Sequence, residues 1–318
     1  MSNPSCDLPK LTQNMGQTPH ATPNNKLVAD YQNWLRNHRG VVEATITEYS
    51  RAIMQLLPDL GCDPAKYDAS LVRRIIIGKV GISSSNRIQF LATVLRGYLR
   101  FLVARGICQP GIDEAIPAIA QWRLSSLPLY LPPADVEKLI MACDQKTPTG
   151  IRDHAILLFL ARLGLRSGDI LTMCLGDIDW ECGTLLVCGK GRREVRLPLP
   201  QDAGDALLTY LTKVRPNTGG DRVFLSSRAP FRPFEKASAI WHVVNSGLER
   251  AGIIDAPSRG ANLLRHSAAT TMLRSGLTLD AIGTILRHRS LNTTAHYAKV
   301  DIPTLRKVVQ SWPGDESC

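Results

Sequence analysis

Five side chains in the second half of the chain have types and an order that suit work on a phosphodiester. Arg166 stands in Gly164-Leu165-Arg166-Ser167-Gly168-Asp169, at the joint between two apolar stretches. Lys190 sits in the turn Gly189-Lys190-Gly191. Arg265 interrupts the apolar run Leu263-Leu264-Arg265-His266-Ser267-Ala268-Ala269, and His288 follows Leu286 and Arg287. Tyr297 comes nine residues after His288. Guanidinium groups offer a rigid fork to phosphate oxygens and stabilise the added charge of a pentacoordinate transition state. A tyrosine can be a covalent nucleophile, and a lysine can protonate a leaving alkoxide.

Each of these residues also has a plain structural use. Arg166 could cap a helix C-terminus and pair with Asp169, and His288 could be a helix C-terminal cation. Arg265 could be a surface cation, Lys190 a turn residue and Tyr297 a packed core aromatic. His266 reads as a structural hydrogen-bond former inside the fold. His296 reads as a neighbour of Tyr297, and His154 as a satisfied core histidine. Arg192-Arg193 reads either as a DNA-backbone contact or as a solvated pair.

The elements that must position these groups are mostly helical. Residues 1–25 are polar and read as a disordered arm. From Leu27, Val28, Tyr31, Trp34 and Leu35 recur at helical spacing. Further helices are expected over Glu43–Leu57, Ser70–Ile77 and Ser85–Arg105. Arg87, Arg96, Arg100 and Arg105 lie off the apolar stripe of the last, and Gly106 suits its C-cap. A short apolar helix is expected at Glu114–Trp122. Prolines then mark a linker at residues 124–132. Beyond it, helices are expected over 133–143, with Pro133 in the first turn, and over Ile151–Leu163 and Ser167–Met173. Strands are expected at Asp177–Val187 and Glu194–Leu199, around the glycine turn. In the second strand Val195 and Leu197 alternate with Glu194 and Arg196. Helices at 201–214, 235–251, 261–275, 278–286 and 302–311 follow, with a short strand at Val223–Leu225.

The fold class is therefore mainly α with a small β-sheet: an all-α domain over 26–123, then an α+β domain over 133–318 ending in a tail helix, 302–312. The 318 residues suit two domains. Basic residues number 38 against 28 acidic, a net charge of +10. The excess falls on both halves, since residues 1–125 hold 14 basic and 9 acidic residues. That balance favours a polyanionic partner such as nucleic acid. No run is long and apolar enough for a membrane span, and the polar N-terminus lacks the apolar core of a signal peptide. A cytoplasmic, DNA-associated location is expected. The eight cysteines show neither CxxC pairs nor zinc-ligand spacing. They read as buried small apolar residues in a reducing compartment.

Taken in order, the five motifs resemble the tyrosine recombinase (phage integrase) family across the whole second domain, and the first domain resembles that family's core-binding helices. Lys190 lies 24 residues after Arg166, and His288 lies 23 after Arg265. The resemblance implies a site-specific DNA recombinase. Tyr297 would attack the scissile phosphate to form a 3′-phosphotyrosine. Arg166, Arg265 and His288 would hold its oxygens, and Lys190 would protonate the leaving 5′-oxygen. No cofactor, ATP or metal is implied. The partners implied are double-stranded DNA and a homo-tetramer on two DNA sites, with room for accessory recombinases or DNA-bending proteins. In the family a tail such as 302–318 docks on a neighbouring subunit. One position departs from the pattern: Asn262, three before Arg265, stands where the family usually has His or Lys. Asparagine can hydrogen-bond a phosphate oxygen but cannot accept the tyrosine proton as an imidazole would. The other readings are a non-catalytic DNA-binding relative, a type IB topoisomerase-like nicking enzyme and a general basic interaction protein.

Overall fold

The computed structural model describes residues 23–120, 127–188, 194–288 and 290–300. The expectations for the arm before residue 23, for Lys190 with Arg192 and Arg193, and for the tail helix lie outside the described residues. The chain divides into two compact units, Met1–Arg123 and Leu124–Cys318. No described helix is long and apolar enough to cross a membrane.

The first unit is built from α1 (Pro23–Arg39), α2 (Glu43–Leu60), α3 (Ala69–Ile77) and α4 (Ser85–Ala104). Short polar side chains begin two of them. Asp68 accepts from the Leu71 N–H at 2.7 Å, and Ser84 from the Arg87 N–H at 3.4 Å. Such caps satisfy donors that have no partner within the helix. Tyr31 of α1 packs edge-on against Tyr98 of α4, with Phe101 beside them, in a core shared with Ile53, Leu56, Leu95 and Leu99. The expected helix at Glu114–Trp122 is absent from its described part. A single 3-10 turn, Ile112–Ala115, stands there instead. Pro117 disfavours helical backbone at Ile116. Arg96 of α4 then takes the carbonyls of both residues, at 3.0 and 3.1 Å.

The second unit runs α5 (Pro133–Met141), α6 (Pro148–Leu163), α7 (Ser167–Thr172), β1 (Ile178–Asp179), β2 (Thr184–Cys188), β3 (Glu194–Pro198), α8 (Gln201–Lys213), α9 (Ala237–Arg250), α10 (Ala261–Arg274), α11 (Leu279–Ile285) and α12 (Leu291–Thr294). A 3-10 segment, Ala295–Val300, carries Tyr297. The run Ala155-Ile156-Leu157-Leu158-Phe159-Leu160-Ala161 has no polar face, so α6 is buried all round, against α5, α8, α9 and α10. Truncating one of its leucines to alanine would cost about 2–5 kcal/mol. The stretch expected as one strand, Asp177–Val187, is two, because a turn ending at Gly183 (φ 59°) reverses the chain. The antiparallel order β1-β2-β3 pairs Leu185 with Leu197 and Val187 with Val195, and Leu185, Val187 and Leu197 are buried. Val223–Leu225 holds one isolated bridge, from Leu225 to Pro233, rather than a strand. Just before α5, the Leu131 N–H donates to Ser267 Oγ of α10 at 2.8 Å, and Tyr130 lies under the Arg274 guanidinium. The cysteines depart from expectation. Among the described residues Cys108 and Cys143 are buried, but Cys62, Cys182 and Cys188 are exposed.

Candidate active site

Arg166 is the residue before α7, which brings it to the end of α6 through the left-handed turn at Gly164 (φ 57°). That turn has no room for a side chain, since a Cβ on Gly164 would lie 2.5 Å from Leu286 Cδ2. Asp169, in the first turn of α7, accepts from the Arg166 N–H at 2.8 Å, a favourable place for a carboxylate at a helix N-terminus. The Arg166 guanidinium turns to the end of α11 and donates to the Arg287 carbonyl at 3.1 Å.

Arg265 lies on α10 and is buried. Its Nη1 donates to the Gly164 carbonyl at 2.6 Å, and its Nη2 to the Leu286 carbonyl. Both guanidiniums are thus held by carbonyls near the C-terminus of α11, where the helix dipole favours cations. Burial, together with the nearby Arg166 and Arg287, pushes Arg265 down to about 10. It still stays charged at neutral pH. Arg166 is lowered as well, chiefly by burial and then by Arg287.

The turn after α11 sets the next group. The His288 N–H donates to the Gly283 carbonyl at 2.8 Å, and His288 Nδ1 lies 2.7 Å from Thr294 Oγ1. Thr294 is fully buried against Gly283, where an added Cβ would come within 2.9 Å of its hydroxyl. Burial, then Arg265 and Arg166, push His288 down to about 4, so its imidazole is neutral at pH 7. The Tyr297 ring stacks parallel on His288, with centroids 6.3 Å apart and planes at 12°. Tyr297 is 2% exposed and packs with Ala269, Leu273, Ile282 and Leu286. Its hydroxyl lies 2.8 Å from Nδ1 of His266. Burial raises the Tyr297 hydroxyl and Arg265 lowers it. Burial, then His296 and Arg265, lower His266, which favours its neutral form.

Arg166, Arg265, His288 and Tyr297 therefore converge. Asn262 does not join them by any hydrogen bond among the described residues. It is exposed in the first turn of α10, on an open cavity of about 390 Å³ lined also by Ser167, Trp241 and Arg259. His266 makes the internal hydrogen bond its sequence context suggests, but the partner is Tyr297, which no local spacing could reveal. Thr294, Gly283 and Arg287 also escaped sequence reasoning, because their roles arise where α11, α12 and α7 meet. Among the described residues no group of three His, Cys, Asp or Glu side chains lies close enough to hold a metal ion.

The phage integrase family model matches residues 130–302, more than half of the chain and all of this site's described residues. The chain belongs to the phage integrase family. A putative integrase/recombinase of Sinorhizobium fredii, y4rA, is 40% identical over 293 residues, covering 91% of this chain and 71% of that protein. The tyrosine recombinase XerD of Listeria innocua is 29% identical, covering 91% of this chain and 98% of that one. In fold, the chain resembles the XerH site-specific recombinase in its post-cleavage complex, with TM-score 0.69, 18% identity and coverage of 88% and 83%. Members of this family are enzymes that cleave and rejoin DNA strands, and the mainly helical architecture with one small sheet is theirs. The integrase and Xer relatives favour neither a topoisomerase nor a non-catalytic relative.

Proposed function

We propose that this integrase-family enzyme performs site-specific recombination through a 3′-phosphotyrosine intermediate, in the integration, excision or transposition of a mobile element. The observation that carries this reading is the convergence of Tyr297, stacked on His288, with two guanidiniums held on the turn beside it. Arg166 and Arg265 take the non-bridging oxygens of the scissile phosphate, their forks already oriented by carbonyls. With the Thr294 hydroxyl donating to Nδ1, the neutral His288 keeps its proton on Nε2 and donates to the same phosphate. Tyr297 Oη bonds to phosphorus as the bond to the 5′-oxygen breaks, and Lys190 protonates that oxygen. The tyrosine proton passes to His266 Nδ1, which supplies the imidazole that Asn262 lacks. Attack by the 5′-hydroxyl of a partner strand reverses these steps and frees the tyrosine.

The first unit, with its basic exterior, and the second both track phosphates of duplex DNA, so binding weakens steeply with salt. A tetramer on two sites carries the exchange. A lambda integrase structure at TM-score 0.64 and 17% identity is described as a tetramer bound to a Holliday junction, which supports that assembly. The mobile-element role draws on the likeness to y4rA.

The test needs no knowledge of the target. Wild type and Tyr297→Phe are expressed in cells, the cells are lysed in detergent, and protein-linked DNA is recovered and sequenced. Adducts with wild type alone are expected, at one defined sequence. Adducts at equal yield with Tyr297→Phe would reject Tyr297 as nucleophile. No adduct with either protein, even on nicked duplexes built from the gene's flanks, would reject the strand-transfer reading.

A further inference from the structure

Arg287 follows Leu286 at the end of α11 and has φ 54°. Among the described residues it is the one non-glycine in the left-handed region, where an L side chain costs energy that glycine would avoid. Its side chain is only 6% exposed. Nη2 donates to Asp169 Oδ2 at 2.6 Å, yet Nε and Nη1 have no hydrogen-bond partner among the described residues. Buried, charged donors left open in this way call for an explanation. The charge count around them is also incomplete. Three guanidiniums, of Arg166, Arg265 and Arg287, meet at one turn, and Asp169 is the one carboxylate that hydrogen-bonds any of their side chains among the described residues. Two positive charges remain uncompensated. A phosphodiester attacked by a deprotonated tyrosine carries two negative charges at its pentacoordinate stage.

We infer that Arg287 is a third guanidinium of the phosphate pocket, a catalytic residue that turns its unpartnered donors to the scissile phosphate, beside Arg166 and Arg265, when DNA binds. The inference rests on the strand-transfer reading. Asp169 then has two tasks. It fixes the start of α7, and it holds Arg287 through Nη2, which leaves Nε and Nη1 unpartnered. The left-handed backbone is the cost of placing an arginine one residue before His288.

Arg287→Gly tests this, because glycine relaxes the backbone while Asp169 keeps the Arg166 N–H. Adduct formation is followed on a nicked duplex carrying the site mapped by adduct sequencing, with either an ordinary scissile phosphate or a methylphosphonate, which lacks one negative charge. Arg287→Gly is expected to melt within a few degrees of wild type and to cleave the phosphate about 100-fold more slowly. On the methylphosphonate the two proteins are expected to converge to within about 10-fold, since the charge that Arg287 meets is gone. Arg287→Lys, which keeps the charge but not the fork, is expected to fall between them. If Arg287→Gly melts early, Arg287→Lys on the two substrates decides by the same convergence. Equal rates on the phosphate, or an equal loss on both substrates, would overturn the inference and leave Arg287 as a buttress for Asp169. No adduct from wild type would remove the strand-transfer reading and this inference together.

Discussion

His266 and Tyr297 are within hydrogen-bond distance of each other, although 31 residues separate them along the chain. The groups facing His266 are Arg265 on its own helix, His296 and Tyr297 on the 3-10 segment, and His288. Burial, then His296 and Arg265, favour the neutral imidazole, the form that can accept a proton. If His266 takes the tyrosine proton, cleavage is expected to rise with pH through a midpoint below the ordinary histidine value of 6.5. In His266→Gln the amide can keep a hydrogen bond to the tyrosine but cannot take its proton. Single-turnover adduct formation is expected to slow about 100-fold, within the range for a lost general base, and to lose that acid limb. A rate and pH profile equal to wild type would remove His266 from the proton path.

At the scale of elements, the site is the seam where the ends of α6, α11 and α12 meet the starts of α7 and α10. Gly283 is a close point of the α11–α12 contact: its carbonyl receives the His288 N–H, and a Cβ there would lie 2.9 Å from the Thr294 hydroxyl. Gly283→Ala would drive the Thr294 hydroxyl away and turn the His288 ring from its place. Cleavage is expected to fall about 10- to 100-fold, as when a positioning contact is lost, while duplex binding measured by gel shift changes little. Equal loss of binding and cleavage would mean that the unit as a whole is disturbed. The helices themselves were legible, because apolar residues recur along them every three or four positions and caps mark their ends. The short elements were not. Whether Asp177–Val187 makes one strand or two depends on a turn at Gly183, and Arg96 decides the path of Ile116 and Pro117 from a distant helix.

At the scale of the whole molecule, the half-buried histidines tie stability to pH. His288 is pushed from 6.5 to about 4, and His266 and His296 shift the same way. As pH drops below 6.5 the unfolded chain gains protons that the folded chain refuses, so stability falls until about pH 4, where His288 titrates in the folded state too. Urea midpoints of the full chain are expected to decline over that window. His288→Asn, which cannot take up a proton, is expected to show a shallower decline. An identical slope would mean that His288 is not buried in its neutral form.

The order Arg166, Arg265, His288, Tyr297 and the helical framework around it were determined by the sequence alone, because residue type carries chemistry and apolar period carries secondary structure. The basic balance on both halves was equally plain. The partners of these groups were decided only by tertiary structure. Carbonyls at the end of α11 orient two guanidiniums, Thr294 orients His288, and His266 meets the tyrosine hydroxyl. Nor could the sequence reveal that Arg287 is buried on Asp169 with donors open. Most of these contacts join residues far apart in the chain, and the energies of all of them depend on burial and distance, quantities that exist only once the chain has folded.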